Sequence, residues 1–215
     1  MRGLIITGGQ LDDALTCDAI KNGGYEIILA ADSGMELLYR HHLTPDIIVG
    51  DFDSVNTEAL SYFRRQEQIE FCQLNPEKDD TDTEFAVHYA ISLGVTEITI
   101  LGAMGSRMDH VLANISLLGI GLENDVEMEL LDKHNRIRMI SAPMTLRKQE
   151  QYGQYISILP YSEKVTKLTL TGFKYNLSDY DMRGFNSLGI SNEIVEDEAG
   201  ITFEDGILLV IEARD

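Results

Sequence analysis

Two aspartates separated by a single residue are the first candidates for chemistry in this chain. Asp51 and Asp53 lie in the segment "GDFDS", and a loop can turn both carboxylates to the same side. Hard cations such as Mg²⁺ take oxygen ligands and commonly bind through one or two carboxylates together with the phosphates of a substrate. A structural role is equally open, because either aspartate could instead cap a helix that begins near Asn56.

A second acidic segment, "KDDTDTE", precedes a predicted helix. Thr81 and the glutamate three residues later have the spacing of a capping box, and an acid such as Asp82 in a first helical turn is favoured by the helix dipole. Asp79 and Asp80, beside Lys78, have no comparable structural need. We therefore favour a functional role for this group, with Lys78 as a contact for phosphate.

A third segment, "GAMGSRMDH", combines glycines with ionisable side chains. Gly102 and Gly105 would allow the backbone to approach a ligand closely. Arg107, Asp109 and His110 then fall at the start of a predicted helix, whose N-terminal amides favour phosphate. As structural alternatives, Asp109 could cap the helix and His110 could be a hydrogen-bonded core histidine.

Short apolar segments that alternate with helical stretches would position these loops. They are rich in Ile, Val and Leu, and they span residues 3–7, 27–30, 46–50, 69–74, 97–101 and 126–131. This alternation predicts a parallel sheet covered by helices. Ligands of open parallel sheets bind outside the carboxyl ends of the strands, so the loops that follow these segments should share one crevice.

The pattern changes after about Asp132. Strand-like segments separated by Gly, Pro, Asn or Ser follow, among them "RIRMIS", "YISILPY", "KLTLTGF", "GISNEIVE" and "GILLVIEA". We predict an α/β plus all-β chain, in which an N-terminal open parallel α/β domain (1–132) is followed by a small C-terminal β-sandwich domain (133–215).

Composition narrows the choice of partners and compartment. The 215 residues include 36 acidic and 17 basic side chains, for a formal net charge of −19, which repels nucleic acid and anionic membrane surfaces. Two distant cysteines suit free thiols in a reducing compartment. The N-terminus "MRGLIITGGQ" lacks the long apolar core of a signal peptide, and no run of about 18 apolar residues is present to span a membrane. We expect a cytoplasmic protein that binds neither nucleic acid nor membrane.

Five motifs in order resemble the thiamine pyrophosphokinase family, whose members transfer a pyrophosphoryl group from ATP to thiamine. The motifs are "ADSG" (31–34), "PDIIVGDFDS" (45–54), "KDDTDTE" (78–84), "GSRMDHVLAN" (105–114) and "GISNE" (189–193). The resemblance spans almost the whole chain and implies Mg²⁺ as cofactor. It also implies a homodimer, in which thiamine binds between the α/β domain of one subunit and the β domain of its partner.

The resemblance also implies roles for individual residues. The predicted catalytic and metal-binding residues are Asp51, Asp53, Asp79 and Asp82, with Asp82 and Asp53 the first candidates for the base. The predicted ATP and phosphate contacts are Asp32, Ser33, Lys78, Asp80, Arg107, Asp109 and His110. The predicted thiamine contacts are Ser191 and Asn192. Animal members of the family stack a tryptophan near thiamine; this chain has none, and Phe185 or Tyr180 is the predicted substitute.

Two alternative functions are compatible with parts of this pattern. "IIVGDFDSV" is similar to the Asp-x-Asp nucleophile loop of haloacid-dehalogenase-like phosphatases, although that loop usually follows the first strand. Such an enzyme would form a covalent phosphoenzyme or release orthophosphate from simple esters. A non-catalytic Mg-nucleotide-binding protein would bind without turnover.

Overall fold

The computed structural model describes residues 1–53, 55–75, 80–185 and 187–215. The chain divides into two compact units, Met1–Lys133 and His134–Asp215. We call them the α/β unit and the β unit.

The α/β unit is built on a parallel sheet with the strand order β4-β3-β2-β1-β5-β6. Its strands are β1 (Arg2–Ile6), β2 (Ile27–Ala31), β3 (Ile47–Gly50), β4 (Glu70–Gln73), β5 (Glu97–Leu101) and β6 (Glu127–Leu131). Consecutive residues of β1, Leu4, Ile5 and Ile6, are fully buried, as expected for a strand covered on both faces. The strand order reverses beside β1, and such a switch point opens a crevice at the carboxyl ends of the strands.

Helices connect these strands. They are α1 (Asp13–Asn22), α2 (Gly34–Arg40), α3 (Thr57–Phe63), α4 (Asp82–Ser92) and α5 (Met108–Glu123). Within the described part of the chain, none of the helices combines the length and apolar character that crossing a membrane requires.

The cap of α3 decides between two interpretations of "GDFDS". Asn56 caps this helix, because its side-chain oxygen accepts hydrogen bonds from the backbone N–H groups of Glu58 (2.8 Å) and Ala59 (3.1 Å). The alternative in which Asp51 or Asp53 caps α3 is therefore wrong. Neither carboxylate is needed to cap this helix.

The β unit consists of antiparallel strands. They are β7 (Asn135–Ile140), β8 (Met144–Arg147), β9 (Tyr155–Pro160), β10 (Lys164–Thr171), β11 (Leu177–Arg183), β12 (Glu198–Thr202) and β13 (Leu208–Ala213). Within this unit β7, β13 and β9 are neighbours in one sheet, and β11, β10, β12 and β8 are neighbours in another. Ile158 and Val210 from the first sheet share a core with Leu168 and Ile201 from the second. The predicted fold class, an α/β domain followed by a β-sandwich, is confirmed.

One predicted strand is wrong. The segment "GISNEIVE" (189–196) forms turns with isolated bridges, in which Asn192 pairs with Ile156 and Ile194 pairs with Phe173. Ser191 has a φ of 56°, a left-handed conformation that interrupts extended backbone. The segment is therefore a shaped loop on the sandwich.

Candidate active site

A cavity of about 610 Å³ opens at the carboxyl ends of β1, β2 and β5. Its wall includes five of the predicted site residues, namely Asp32, Ser33, Asp82, Arg107 and His110. The predicted crevice therefore exists in the α/β unit, and three of its loops and the start of α4 meet there.

Asp32, directly after β2, carries a buried oxygen without a partner. Its Oδ1 atom is buried, and in the described part of the chain no group forms a hydrogen bond with it. Burial raises the pKa of the Asp32 carboxyl, and the negative charges of Asp82, Asp51 and Asp53 raise it further. Acids after β3 and at the start of α4 thus lie close enough to repel the carboxylate of Asp32.

The "GDFDS" loop holds its acids by a local turn. The backbone N–H of Asp53 donates to Oδ1 of Asp51 at 3.1 Å, and Phe52 between them has a φ of 64°. Among its described residues, the cavity wall itself includes neither aspartate. Both lie beside the cavity, where their charges act on Asp32.

The start of α4 combines a cap with a contact to β1. Oγ1 of Thr81 accepts a hydrogen bond from the backbone N–H of Glu84 at 3.1 Å, so the predicted cap is confirmed. The hydroxyl groups of Thr83 and Thr7 lie 3.1 Å apart in a buried hydrogen bond, which fixes the helix to the end of β1. Asp82, which lies between Thr81 and Thr83 in the sequence, is thereby held in the cavity wall.

The rest of this acidic segment contributes less to the described cavity. Lys78 and Asp79, both predicted site residues, lie outside the described residues. Asp80 is exposed, and it is absent from the described part of the cavity wall.

These carboxylates fit a divalent cation in charge, although the described side chains do not form a closed ligand set. No group of three or more His, Cys, Asp or Glu side chains among the described residues is placed to hold one metal ion. The unpartnered oxygen of Asp32 and the repulsion it receives from Asp51, Asp53 and Asp82 are nevertheless what a bound cation would relieve.

The glycines of the loop after β5 differ in what they require. Gly102 has a φ of 77°, and a Cβ atom there would overlap the carbonyl oxygen of Thr7, so packing against β1 alone explains this glycine. A Cβ atom on Gly105 would meet only ordinary contacts, such as the backbone nitrogen of Gln10 at 3.5 Å. Close approach of a ligand therefore remains a reason for glycine only at position 105.

Arg107 and Asp109 form a forked ion pair at the start of α5. Nε and Nη2 of Arg107 donate to the two carboxylate oxygens of Asp109 at 3.2 and 2.6 Å. These hydrogen bonds lower the pKa of Asp109 to about 2. Arg107 and His110 belong to the described cavity wall and Asp109 does not, so Asp109 contributes by orienting the guanidinium of Arg107.

Sequence reasoning missed Asn114, which follows His110 by one helical turn in the cavity wall. Its Nδ2 atom donates to the carbonyl oxygen of Ala103 at 2.7 Å. The signal was available, since Asn114 ends the motif "GSRMDHVLAN" and its spacing from His110 places both on one helix face.

In the β unit, the predicted thiamine contacts differ from each other. Ser191 is exposed, and its backbone N–H donates to Oγ of Ser157 at 3.1 Å. Asn192 is only 4% exposed. Its Oδ1 accepts from the N–H groups of Tyr175 and Glu193, each at 3.0 Å, and its Nδ2 donates to the carbonyl of Tyr175 at 2.8 Å. The Asn192 side chain thus holds the backbone of the neighbouring loop.

Those hydrogen bonds present Tyr175, an aromatic residue that sequence reasoning also missed. Its side chain is 61% exposed, and Nζ of Lys174 lies 5.7 Å from its ring centroid. The two aromatic residues predicted from the sequence, Phe185 and Tyr180, are also exposed. Tyr175 differs from them because Asn192 fixes its backbone on both sides beside Ser191.

Two family models match this chain, one on each unit. The thiamin pyrophosphokinase catalytic domain matches residues 22–130, and the thiamin pyrophosphokinase vitamin B1 binding domain matches residues 143–208. A thiamine pyrophosphokinase of Bacillus subtilis is 34% identical over 187 residues, which is 87% of each chain. The chain belongs to the thiamine pyrophosphokinase family. The resemblance carried by the five motifs is confirmed.

Solved structures of family members agree along the whole chain. The crystal structure of thiamine pyrophosphokinase from Bacillus subtilis has a TM-score of 0.89 and 31% identity, with full coverage of both chains. The Geobacillus thermodenitrificans thiamin pyrophosphokinase has a TM-score of 0.85 and 29% identity, covering 100% of this chain and 98% of its own. Membership of the thiamine pyrophosphokinase family favours the enzyme prediction over the phosphohydrolase and the non-catalytic alternatives.

Proposed function

We propose that this chain transfers the pyrophosphoryl group of ATP to the hydroxyl group of thiamine, giving thiamine diphosphate and AMP. The observation that carries the residue-level proposal is the unpartnered, buried Oδ1 of Asp32 in a cavity where like charges converge. Such an arrangement is costly in an empty site and is relieved by a cationic ligand. Thiamine brings a positive thiazolium ring, and ATP is normally handled with a divalent cation.

Mg²⁺ would be held by Asp82 in the cavity wall and by Asp51 and Asp53 beside it, with Asp79 predicted from the sequence. The ion would neutralise polyphosphate charge that the net charge of −19 otherwise repels. Asp32 and Ser33 complete this side of the wall. Arg107, oriented by Asp109, supplies a second positive charge for the phosphates.

The chemical step requires positioning more than covalent help from the protein. The thiamine hydroxyl oxygen forms a bond to the β-phosphorus of ATP while the bond between this phosphorus and the oxygen that bridges it to the α-phosphate breaks, so AMP leaves. The hydroxyl proton passes to a carboxylate. Asp82 is our choice over Asp53, because Asp82 belongs to the cavity wall.

The loop around Ser191 in the β unit is our candidate for holding thiamine. The exposed ring of Tyr175 offers a face on which a cationic aromatic ring can stack. Ser191, next to it in a left-handed conformation, offers a hydroxyl group at the surface. Asn192 shapes both positions through the backbone.

We further propose that two copies associate and that each site takes its thiamine contacts from the partner. Apolar side chains are exposed in both units. On α5, Met108 is 61% and Leu112 is 60% exposed; in the β unit, Phe185, Leu188 and Ile190 are exposed near the Ser191 loop. Both patches border candidate site residues, and a second copy would cover apolar surface that is otherwise left in water.

Mixed dimers test this arrangement. Asp82→Asn subunits and Ser191→Ala/Tyr175→Ala subunits, each weakly active alone, should regain activity after subunit exchange, because each mixed dimer contains one intact composite site. A mixture no more active than its parents, with exchange verified by mass spectrometry, would exclude sites shared between subunits.

We place the enzyme in the cytoplasm. Cys17 and Cys72 are free and half-buried, which suits a reducing compartment. Measuring the thiol content of the protein purified from its native host checks this, since two unmodified thiols are expected.

The reaction itself is tested by its nucleotide product. Purified protein with Mg-ATP and thiamine should form AMP and thiamine diphosphate in equal amounts, resolved by chromatography. Formation of ADP and thiamine monophosphate would mean γ-phosphoryl transfer and would reject the proposed step. Release of orthophosphate without a thiamine product would restore the phosphohydrolase alternative.

A further inference from the structure

The two sides of the cavity in the α/β unit differ in charge. The side formed after β2 and by the start of α4 carries Asp32 and Asp82. The side formed by the loop after β5 and by α5 runs from Gly102 to Asn114, and its described wall residues include no carboxylate. A metal-bound polyphosphate belongs on the first side and against Arg107, which leaves the remainder of the second side for the rest of the nucleotide.

Asn114 on this second side has a fixed amide orientation. The carbonyl oxygen of Ala103 can only accept a hydrogen bond, so the group facing it at 2.7 Å must be the NH₂ of Asn114. The Oδ1 atom is therefore an acceptor of known position. No group in the described part of the chain pairs with it, and Asn114 is half-buried in the cavity wall.

The surroundings of Asn114 suit a flat ring. Ala103 and Met104 are apolar neighbours in the same wall, and a thioether makes favourable contacts with the edge of an aromatic ring. A pocket of this kind, with an apolar wall and one placed acceptor, binds an aromatic ring that carries a hydrogen-bond donor.

We infer that Oδ1 of Asn114 accepts a hydrogen bond from the 6-amino group of the adenine of ATP, and that this contact selects a 6-aminopurine over a 6-oxopurine nucleotide. The inference rests on the proposed function in taking ATP as the ligand. A 6-oxopurine would bring a carbonyl oxygen against Oδ1, so two acceptors would face each other without a proton between them. Discrimination then comes from an unfavourable contact as well as a favourable one.

The test compares binding of Mg-ATP and Mg-inosine 5′-triphosphate by calorimetry, without thiamine, so it does not depend on the proposed reaction. Wild-type protein should bind ATP at least about tenfold more tightly than inosine triphosphate, the effect of one such hydrogen bond. Asn114→Ala should bring the two affinities to within about twofold. Asn124→Ala is the matched control, because its Nδ2 donates to the carbonyl of Ile120 at 2.8 Å at the far end of the same helix; it should keep the wild-type preference.

A purely structural role for Asn114 predicts a different pattern. If the amide only holds Ala103, Asn114→Ala should weaken both nucleotides equally and leave their ratio unchanged, which would overturn the inference. Asn114→Asp tests the same point should the alanine variant fail to fold. Aspartate cannot donate to Ala103 but still offers an acceptor, so the preference for ATP should persist in it; equal binding of the two nucleotides by Asn114→Asp would count against the contact.

Thiamine offers an alternative donor for the hydrogen bond to Oδ1 of Asn114, because its pyrimidine ring also carries an amino group. Binding of thiamine and of its 4′-oxo analogue distinguishes the sources. The adenine assignment requires that Asn114→Ala leaves the ratio of these two affinities unchanged. If that ratio collapses while the ratio of ATP to inosine triphosphate is unchanged, the assignment to adenine is wrong. If thiamine is not turned over at all, the nucleotide ratios still decide the role of Asn114, and only the proposed reaction fails.

Discussion

The candidate sites in the two units differ in how their buried polar groups are paired. Asp32 in the α/β unit keeps a buried carboxylate oxygen without a partner and receives repulsion from three further acids. Asn192 in the β unit is more deeply buried, yet its Oδ1 and Nδ2 are both paired with backbone groups of Tyr175 and Glu193. Asp32 therefore has capacity left for a ligand, whereas Asn192 already makes three of the four hydrogen bonds its amide can form within the protein.

This contrast separates two ways of building a site. In the α/β unit the side chains themselves are available to act on a ligand, and the fold accepts an unfavourable electrostatic arrangement around Asp32. In the β unit the hydrogen-bonded amide of Asn192 fixes the shape of a loop, and its exposed neighbours are our candidates for contacting thiamine. Substitutions of the acids in the α/β unit should therefore lower the rate of catalysis without lowering stability. Substitution of Asn192 in the β unit should lower stability and weaken binding together.

The largest effect is expected at the acidic side of the cavity. Asp82→Asn or Asp51→Asn should lower kcat at least about a hundredfold, because removal of a preorganised charged contact costs roughly 3 kcal/mol in the transition state. The free energy of unfolding should be unchanged or slightly increased, since the substitution removes like-charge repulsion. Steady-state kinetics and urea denaturation measure the two quantities.

Asp125→Asn is the matched control for this prediction. Asp125 is exposed in the turn between α5 and β6, at the opposite edge of the parallel sheet, and its φ of 54° is one that asparagine also adopts. Its kcat should equal that of wild type. A comparable loss in Asp125→Asn would mean that general charge, rather than the cavity, is responsible.

The next effect is expected at Asn192. Asn192→Ala should destabilise the protein by about 2 kcal/mol, because the partly buried backbone N–H and C=O groups of Tyr175 lose their partners. The KM for thiamine should rise more than tenfold, since Tyr175 and Ser191 both lose their positions, while the KM for ATP changes little. An Asn192→Ala variant with wild-type stability but a raised KM for thiamine would show instead that the amide contacts the substrate directly.

Tyr175 should give the same binding effect without the loss of stability. Tyr175→Ala should raise the KM for thiamine about tenfold, the effect of losing one stacked cationic ring, and Tyr175→Phe should restore most of it. Tyr161, another exposed tyrosine of the β unit, provides the control: Tyr161→Ala should bind thiamine normally. Wild-type kinetics in Tyr175→Ala would exclude Tyr175 as the residue that stacks on thiamine, and Phe185 and Tyr180 would then be the remaining candidates.

The sequence predicted the α/β unit well because its strands are buried on both faces. A strand such as β1 then reads as a continuous apolar segment, and the positions of the loops follow from a rule about the ends of parallel strands. The β unit contains strands of another kind. Most residues of β11 are exposed and polar, so no local pattern marked it as a strand.

The roles of two residues, Tyr175 and Gly102, could not be predicted, for a related reason. The role of Tyr175 depends on hydrogen bonds from a residue 17 positions later, and a contact over that distance leaves no periodic signal. The requirement for glycine at position 102 likewise comes from the backbone of Thr7, which directly follows β1. In both cases tertiary contacts, rather than local spacing, decide the residue's role.

The smallest effect is expected at Asp109, which tests whether an acid beside the cavity acts only through a neighbour. Asp109→Asn removes the forked pair that orients Arg107, so the KM for ATP should rise about threefold to fivefold with kcat nearly unchanged. The effect is small because both side chains are exposed, and exposed pairs contribute little.

The pH dependence of this effect follows from the pKa of Asp109. Because that pKa is lowered from 3.8 to about 2, the ion pair is fully formed above the ordinary value and is lost only as the pH falls through the lowered one. The ratio of the mutant and wild-type KM values for ATP should therefore be constant between pH 5.5 and pH 8, a range that lies well above both pKa values.

A double variant tests whether Asp109 acts only through Arg107. Arg107→Ala should raise the KM for ATP further than Asp109→Asn does, and the double variant should match Arg107→Ala. A KM for ATP clearly higher in the double variant than in Arg107→Ala would mean that Asp109 contacts the nucleotide or the metal itself. Asp109 would then act on the ligand directly, as proposed for Asp82, rather than by orienting Arg107.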